Sequence, residues 1–181
     1  MRGLLMALLC LAPAVAFAAG GGSDSSDDSP PKKTETTIKC KDGKVWDKIK
    51  KKCVEVKKSE LDDDTLYKAA RELAYDGQYD HSLKVLAAMS KQSESRVLTY
   101  YGFNHRKAGR VNLGNMYYQM ALAINPDNLL VRSYMGQGYV ESGNLQAAKI
   151  QLVEIRRRGG DNSWPEISLD KAIDRGEGYS Y

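Results

Sequence analysis

Two cysteines are the residues of this chain best placed to do chemistry. Cys40 and Cys53 bound the stretch CKDGKVWDKIKKKC, which also contains Trp46 and several lysines. Structural zinc takes four ligands, and the nearest histidine, His81, lies in a different segment. A thioredoxin-like redox pair has the spacing Cys-x-x-Cys, which these two do not have. The pair could also be a disulfide that holds a small element in shape, and the compartment of the protein decides among these interpretations.

Residues 1–18 indicate export. Arg2 precedes an apolar run, Pro13 interrupts that run, and residues 16–18 form a small-x-small cleavage site. The apolar run is too short to span a membrane. We therefore predict a signal peptide at residues 1–18 and a periplasmic or secreted protein that has no transmembrane anchor.

Export favours a disulfide over the other two interpretations. Removal of the signal peptide takes Cys10 away and leaves Cys40 and Cys53 in an oxidising compartment. An even pair of cysteines there is most simply oxidised, so we predict a Cys40–Cys53 disulfide and no bound metal.

Other residue types used in catalysis do not form a catalytic pattern. Asp80, His81 and Ser82 include the types of a catalytic triad, but adjacent positions on a helix do not face one another. His105 has no cysteine or carboxylate cluster near it in the sequence. No phosphate loop, dinucleotide fingerprint or zinc-protease motif occurs in the sequence. We therefore predict that the protein is not an enzyme and uses no cofactor.

The charge of the chain argues against nucleic acid as a partner. The formal net charge is only +4, and Arg2 leaves with the signal peptide. Basic residues are concentrated in residues 32–58, after the acidic stretch SDSSDD. This basic segment is either a solvated face or a surface that touches an anionic component of the cell envelope, and the sequence leaves both open.

The elements that position these residues differ along the chain. Residues 19–37 contain almost nothing apolar, so we predict a disordered linker stiffened at Pro30 and Pro31. In residues 38–57, β-branched and aromatic residues flank a polar turn, which predicts a β-hairpin closed by the disulfide. From residue 60 onward the hydrophobic periodicity is helical.

Three glycines give the register of an internal repeat. Gly77, Gly109 and Gly143 recur at a spacing of roughly 34 residues. Apolar or small residues follow each of them at the same offsets, and a small residue precedes each of them at a constant distance. Arg132 and Glu94 depart from the pattern, since an apolar residue and a proline are expected at these two positions.

This pattern resembles the tetratricopeptide repeat, a helical hairpin of about 34 residues that stacks on its neighbours. The resemblance implies an all-α solenoid of three helical hairpins, at residues 62–94, 95–128 and 129–160, within residues 60–160. Residues 163–175 are predicted to form a helix that caps the last open edge, and residues 176–181 a flexible tail.

Glycines inside the predicted helices indicate close helix packing. Gly102 and Gly136 fall in mid-helix, where glycine costs up to about 1 kcal/mol relative to alanine. Close approach of the paired helix would offset this cost, since Gly114 and Ala148 supply small residues on the opposite side. We therefore predict that the two helices of each hairpin approach closely at these positions.

The resemblance also implies where a partner binds. Tetratricopeptide repeats usually bind on the concave face formed by the first helices, and the register places eight candidate residues there: Tyr67, Arg71, Tyr75, Thr99, Phe103, Arg106, Lys107 and Gln137. Aromatic side chains beside arginine are typical of binding hot spots, and the basic groups favour an acidic or carboxylate-bearing segment. Alternatively, these aromatics cover the core between the repeats.

Residues 40–53 resemble the last hairpin of chitin-binding, peritrophin-like modules, because they share the cysteine spacing, an aromatic residue and a following aspartate. The resemblance implies that Trp46 is a platform for stacking a sugar. Otherwise Trp46 packs over the disulfide.

Two functions follow from these patterns. We expect a non-enzymatic interaction module of the cell envelope that binds a peptide or protein on the concave face of the repeats. The alternative is a binder of cell-wall polysaccharide, peptidoglycan or a chitin-like chain, in which residues 40–53 hold the sugar and the repeats act as a spacer.

Overall fold

Helices make up most of the chain, and one small sheet lies on its N-terminal side. The structure, a computed structural model, describes residues 28–58 and 60–178. In these residues it has eight helices, a short 3-10 turn and a two-stranded antiparallel sheet. The predicted signal peptide at residues 1–18 lies outside this part of the chain. None of the described helices is long and apolar enough to cross a membrane.

The elements form three groups along the chain. The N-terminal group contains helix α1 (Glu35–Lys39) and the strands β1 (Val45–Asp47) and β2 (Lys52–Val54). Three helix pairs follow: α2 (Asp63–Tyr75) with α3 (Tyr79–Leu86), α4 (Ser95–Lys107) with α5 (Val111–Ile124), and α6 (Leu129–Glu141) with α7 (Leu145–Arg157). The last described helix is α8 (Trp164–Arg175). The described residues are therefore mostly helical with a small two-stranded sheet, and their elements follow the predicted order.

The turn between the two helices of each pair lies at one of the three glycines that define the register of the repeat. Gly77 has a φ of 78°, a left-handed conformation that glycine adopts without steric cost. Its amide and the amide of Gln78 donate hydrogen bonds to carbonyls of the last turn of α2, which is the Schellman arrangement. Gly109 and Gly143 have φ values of 81° and 78° and make the same two bonds. The common register of the three turns therefore has a common physical cause.

The mid-helix glycines allow close packing, but not all in the predicted way. A Cβ atom at Gly102 would lie 2.4 Å from the ring of Tyr118, and one at Gly114 would lie 2.8 Å from the carbonyl oxygen of Gly102. The paired helices α4 and α5 therefore approach closely, as predicted. At Gly136 the added atom would instead lie 2.6 Å from Leu169. That glycine makes room for α8 rather than for its paired helix.

The N-terminal hairpin packs into the core of the helices. The disulfide between Cys40 and Cys53 is confirmed, with the Cα atoms 5.6 Å apart, and Trp46 lies opposite Cys53 in the antiparallel register of β1 and β2. Val45 is only 1% exposed and belongs to the same buried cluster as the side chains of α2 to α6. The hairpin thus covers the first helix pair.

Helix α8 covers the other end of the helix pairs. It begins after Ser163, whose hydroxyl accepts a hydrogen bond from the amide of Glu166, and it ends at Gly176 in the left-handed conformation. Leu169 and Ala172 are fully buried against α6 and α7. The position of α8 coincides with that of the helix predicted at residues 163–175.

Residues 28–37, the described part of the disordered linker predicted at residues 19–37, make defined contacts with α2, and residues 19–27 lie outside the described residues. Thr34 caps helix α1, and the carboxylate of Glu72 accepts hydrogen bonds from both Thr34 and Thr37. This segment is ordered because a buried acceptor in α2 satisfies its polar groups. A hydrophobicity pattern cannot reveal such an anchor, since the segment itself buries little apolar surface.

Candidate functional site

Most of the predicted partner-binding residues are buried and do not form an open strip. Six are buried and two half-buried: Tyr67, Arg71, Thr99, Phe103, Arg106 and Gln137 in the first group, Tyr75 and Lys107 in the second. The helices α2, α4 and α6 pack closely enough for their aromatic rings to touch. The open aromatic strip expected from the sequence is therefore corrected to an aromatic cluster between the first helices.

The aromatic cluster joins all three helix pairs. The rings of Tyr75 and Phe103 are stacked with their centroids 5.8 Å apart, and those of Phe103 and Tyr134 are 4.7 Å apart. Tyr67 meets Tyr100 edge to face at 5.7 Å. The sequence argument did not name Tyr100 and Tyr134, although both lie nine positions before a turn glycine. That shared register was the signal that could have identified them.

Tyrosine hydroxyls hold the guanidinium of Arg71 in place. Its Nε donates to the hydroxyl of Tyr100 at 3.1 Å, and that hydroxyl lies 3.3 Å from the hydroxyl of Tyr134. Tyr75 and Tyr134 share a hydrogen bond of 2.7 Å between their hydroxyls. Burial raises the pKa of Tyr75 above its ordinary value, so its hydroxyl keeps its proton at neutral pH. The guanidinium of Arg71 is therefore a cation whose position is fixed by the surrounding tyrosine side chains.

A segment of the chain itself lies against Arg71 and the end of α2. We call residues 28–33 the N-terminal strap. Arg71 Nη2 donates to the carbonyl oxygen of Ser29 at 2.6 Å, and Lys33 Nζ lies 2.5 Å from the carboxylate of Asp76. The bond from Lys33 holds the pKa of Asp76 below its ordinary value. The strap is therefore tied to α2 by a main-chain carbonyl and by an ion pair.

Two cavities separate the strap from the helices. Pro30 and Pro31 border one of about 610 Å³, whose other lining includes Tyr75, Lys107 and Trp164. Asp28 borders a second, of about 350 Å³, together with Tyr67 and Thr99. The strap does not fill the space beside it. We call the surface under the strap the groove, formed by Tyr67, Arg71, Tyr75, Thr99, Lys107 and Trp164.

Arg106 and Gln137 are buried and make polar contacts inside the protein. Arg106 Nη1 pairs with the carboxylate of Glu141, and Lys107 Nζ lies 3.4 Å from the same carboxylate. Burial raises the pKa of Glu141, but the charges and hydrogen bonds of Arg106 and Lys107 together outweigh this effect and hold the pKa below its ordinary value. Gln137 Nε2 donates to the hydroxyl of Ser133 at 3.2 Å. Arg106 and Lys107 thus join α4 to α6, whereas the bond of Gln137 lies within α6, and only Lys107 of this group borders the groove.

Trp46 lies on the hairpin, away from the groove. It is half-buried, and the ammonium group of Lys39 lies 4.9 Å from the centroid of its ring. The indole also borders a cavity of about 510 Å³ between the hairpin and α2. One face of the ring is thus already covered by a cation.

The residues with catalytic side chains are not assembled into a site. The hydroxyl of Ser82 donates to the carbonyl of Ala70, and His81 Nδ1 lies 2.9 Å from the side-chain oxygen of Gln78. His105 stacks on Tyr117, and burial lowers its pKa. In residues 28–58 and 60–178, no group of three or more acidic, histidine or cysteine side chains could hold a metal ion.

Comparison of the chain with protein-family models, with curated proteins and with solved structures found no significant match.

Proposed function

We propose that the protein is a non-enzymatic interaction module, a short solenoid of the tetratricopeptide type that binds a peptide or protein partner in the groove. The main observation in support of this proposal is the 2.6 Å hydrogen bond from Arg71 to the carbonyl oxygen of Ser29. A fixed guanidinium that holds a main-chain carbonyl suits peptide recognition, because every peptide presents such carbonyls. The glycine turns at Gly77, Gly109 and Gly143 support the repeat assignment.

The lining of the groove supports an extended ligand. Tyr75 and Trp164 offer aromatic surface beside the two prolines of the strap, and aromatic-lined grooves are the usual receptors of proline-containing extended segments. Lys107 places a cation at the opposite rim. Aromatic surface next to fixed cations favours an extended segment that carries prolines and acidic residues.

We also propose that the protein acts outside the cytoplasm, in the periplasm or as a secreted protein. The Cys40–Cys53 disulfide supports this location, because structural disulfides persist in oxidising compartments. Polysaccharide binding through Trp46 receives less support, since a sugar would have to share the indole with Lys39.

Photo-cross-linking in intact cells tests the proposed function. A photoreactive amino acid at Lys107, on the rim of the groove, is expected to give a covalent adduct with a segment of another envelope protein. Mass spectrometry then identifies the linked peptide. The matched control carries the same amino acid at Lys149, which is exposed on α7. Adducts that are absent at Lys107, or the same at both positions, would contradict the proposal.

A further inference from the structure

The strap runs alongside α2 in the direction of that helix. Its first residue, Asp28, borders the same cavity as Tyr67 near the start of α2. Ser29 then meets Arg71, and Lys33 meets Asp76 just after the end of the helix. The order of contacts along the strap thus follows the order of residues along α2, as expected for an extended segment that lies in the groove.

The ion pair of Lys33 holds the strap less firmly than Glu72 holds the residues that follow it. The side chain of Lys33 is 69% exposed, and exposed ion pairs contribute little to stability. In contrast, Thr34 and Thr37 donate four hydrogen bonds to the carboxylate of Glu72, which is 5% exposed. Residue 34 is therefore a firm anchor, and the strap can leave the groove without loss of helix α1.

The strap also shares two features, prolines and acidic residues, with the ligand proposed for the groove. It carries two prolines, which lower the entropy lost on binding, and the acidic stretch SDSSDD ends at its first residue, Asp28. Because it is tethered at Thr34, it is present at the groove at an effective concentration in about the millimolar range. A partner that uses the same surface must compete with it.

We propose that residues 28–33 are a built-in occupant of the groove, and that the partner binds by presenting an extended, acidic, proline-containing segment that replaces them. This inference rests on the proposed function. While the strap lies in the groove, the molecule cannot bind a partner there. The apparent affinity for any partner therefore falls in proportion to the fraction of molecules whose groove is free. Release of the strap therefore tightens binding without any change in the groove.

The variant Lys33→Glu tests this inference in the purified protein. It sets a carboxylate against Asp76 and leaves every residue of the groove unchanged. The matched control is Lys32→Glu, which makes the same change of charge at the exposed neighbouring residue. The probe is a fluorescent synthetic peptide with the sequence of residues 23–34, SDSSDDSPPKKT.

Two measurements separate the possible outcomes. Fluorescence anisotropy gives the Kd of the peptide, which is expected to be about fivefold lower for Lys33→Glu than for Lys32→Glu. Acrylamide quenching reports release of the strap through Trp164, the one tryptophan left in a Trp46→Phe background. Lys33→Glu is expected to raise the quenching of Trp164, and the reversed pair Lys33→Glu with Asp76→Lys to restore it.

Three results of these measurements would contradict the proposal. If the peptide binds both lysine variants with equal Kd values, the proposal that the strap occupies the groove is overturned. The proposed function would then still stand. Unchanged quenching in Lys33→Glu would also overturn it, since the ion pair would then not hold the strap. Raised quenching with no peptide binding to any variant would overturn both the inference and the proposed peptide site.

Discussion

Glu72 accepts two hydrogen bonds of 2.6 Å from Thr34, one from the backbone amide and one from the hydroxyl. Thr37 adds two more from its own amide and hydroxyl. This one carboxylate therefore fixes the polar segment that precedes the hairpin to the first helix pair. The anchor sets where the strap begins, and it joins two parts of the chain that no hydrophobic pattern connects.

Glu72→Gln tests the importance of this anchor. The substitution keeps the size of the side chain but replaces an acceptor oxygen with a donor that faces other donors. We expect a loss of about 2 kcal/mol in the free energy of unfolding, because hydrogen bonds to a buried charged group are lost. Urea denaturation measures it. Glu60→Gln, at a side chain that is 91% exposed, is expected to stay within about 0.5 kcal/mol of the original protein. Equal stability of the two variants would refute the anchor.

Gly102→Ala tests the close approach of α4 and α5. Alanine normally stabilises the middle of a helix by up to about 1 kcal/mol relative to glycine. Here its Cβ would lie 2.4 Å from the ring of Tyr118, so we expect a net loss of about 2 kcal/mol from overpacking. Thermal unfolding measures the change.

The control for this substitution is Gly109→Ala, which meets no atom within 4 Å and suffers only from its positive φ. It is expected to lose about 1 kcal/mol, less than Gly102→Ala. A stabilising effect of Gly102→Ala would show that the helices do not meet at this glycine.

Removal of the disulfide tests the contribution of the hairpin to stability. In the chain-entropy model, a bridge that closes a loop of this size contributes about 3 kcal/mol. We expect the double variant Cys40→Ser with Cys53→Ser to lose about that amount in urea denaturation. A reducing agent should destabilise the original protein and leave the double variant unchanged. Two free thiols in the mass spectrum of the alkylated protein would contradict the disulfide.

Asp63 links the start of α2 to the loop that follows α3, and it predicts an acid-dependent change in stability. The hydroxyl and amide of Ser90 and the amide of Lys91 donate to its carboxylate, which lowers its pKa below the ordinary value. A carboxylate of lowered pKa stabilises the fold above the pKa of the unfolded chain, near 3.8. That stabilisation is lost as the pH falls through the lower value of the folded state.

The variant Asp63→Asn removes this titration. Its unfolding free energy should therefore fall less steeply than that of the original protein below about pH 4. The control is Asp174→Asn, at an exposed residue of α8, which should keep the original pH profile. Parallel profiles for Asp63→Asn and the original protein would contradict the link.

The sequence by itself determined the succession of elements. Gly77, Gly109 and Gly143 predicted the three turns, because a left-handed residue at the end of a helix is a local requirement that glycine meets best. Cys40 and Cys53 predicted their own pairing as well, since predicted export leaves them as an even pair, their spacing does not fit a redox motif, and further zinc ligands are missing nearby in the sequence. Local chemistry, readable along the chain, was sufficient for these features.

Only the tertiary structure decided which side chains of that succession are accessible. Phe103, Arg106 and Gln137 were expected in an open binding strip but are buried, because burial depends on how far the helix pairs close on one another. The sequence predicted disorder for the strap, since its partners Arg71 and Asp76 are distant from it in sequence. Long-range hydrogen bonds from a polar segment give no periodic pattern in the sequence, so only the folded chain reveals that the strap lies against α2.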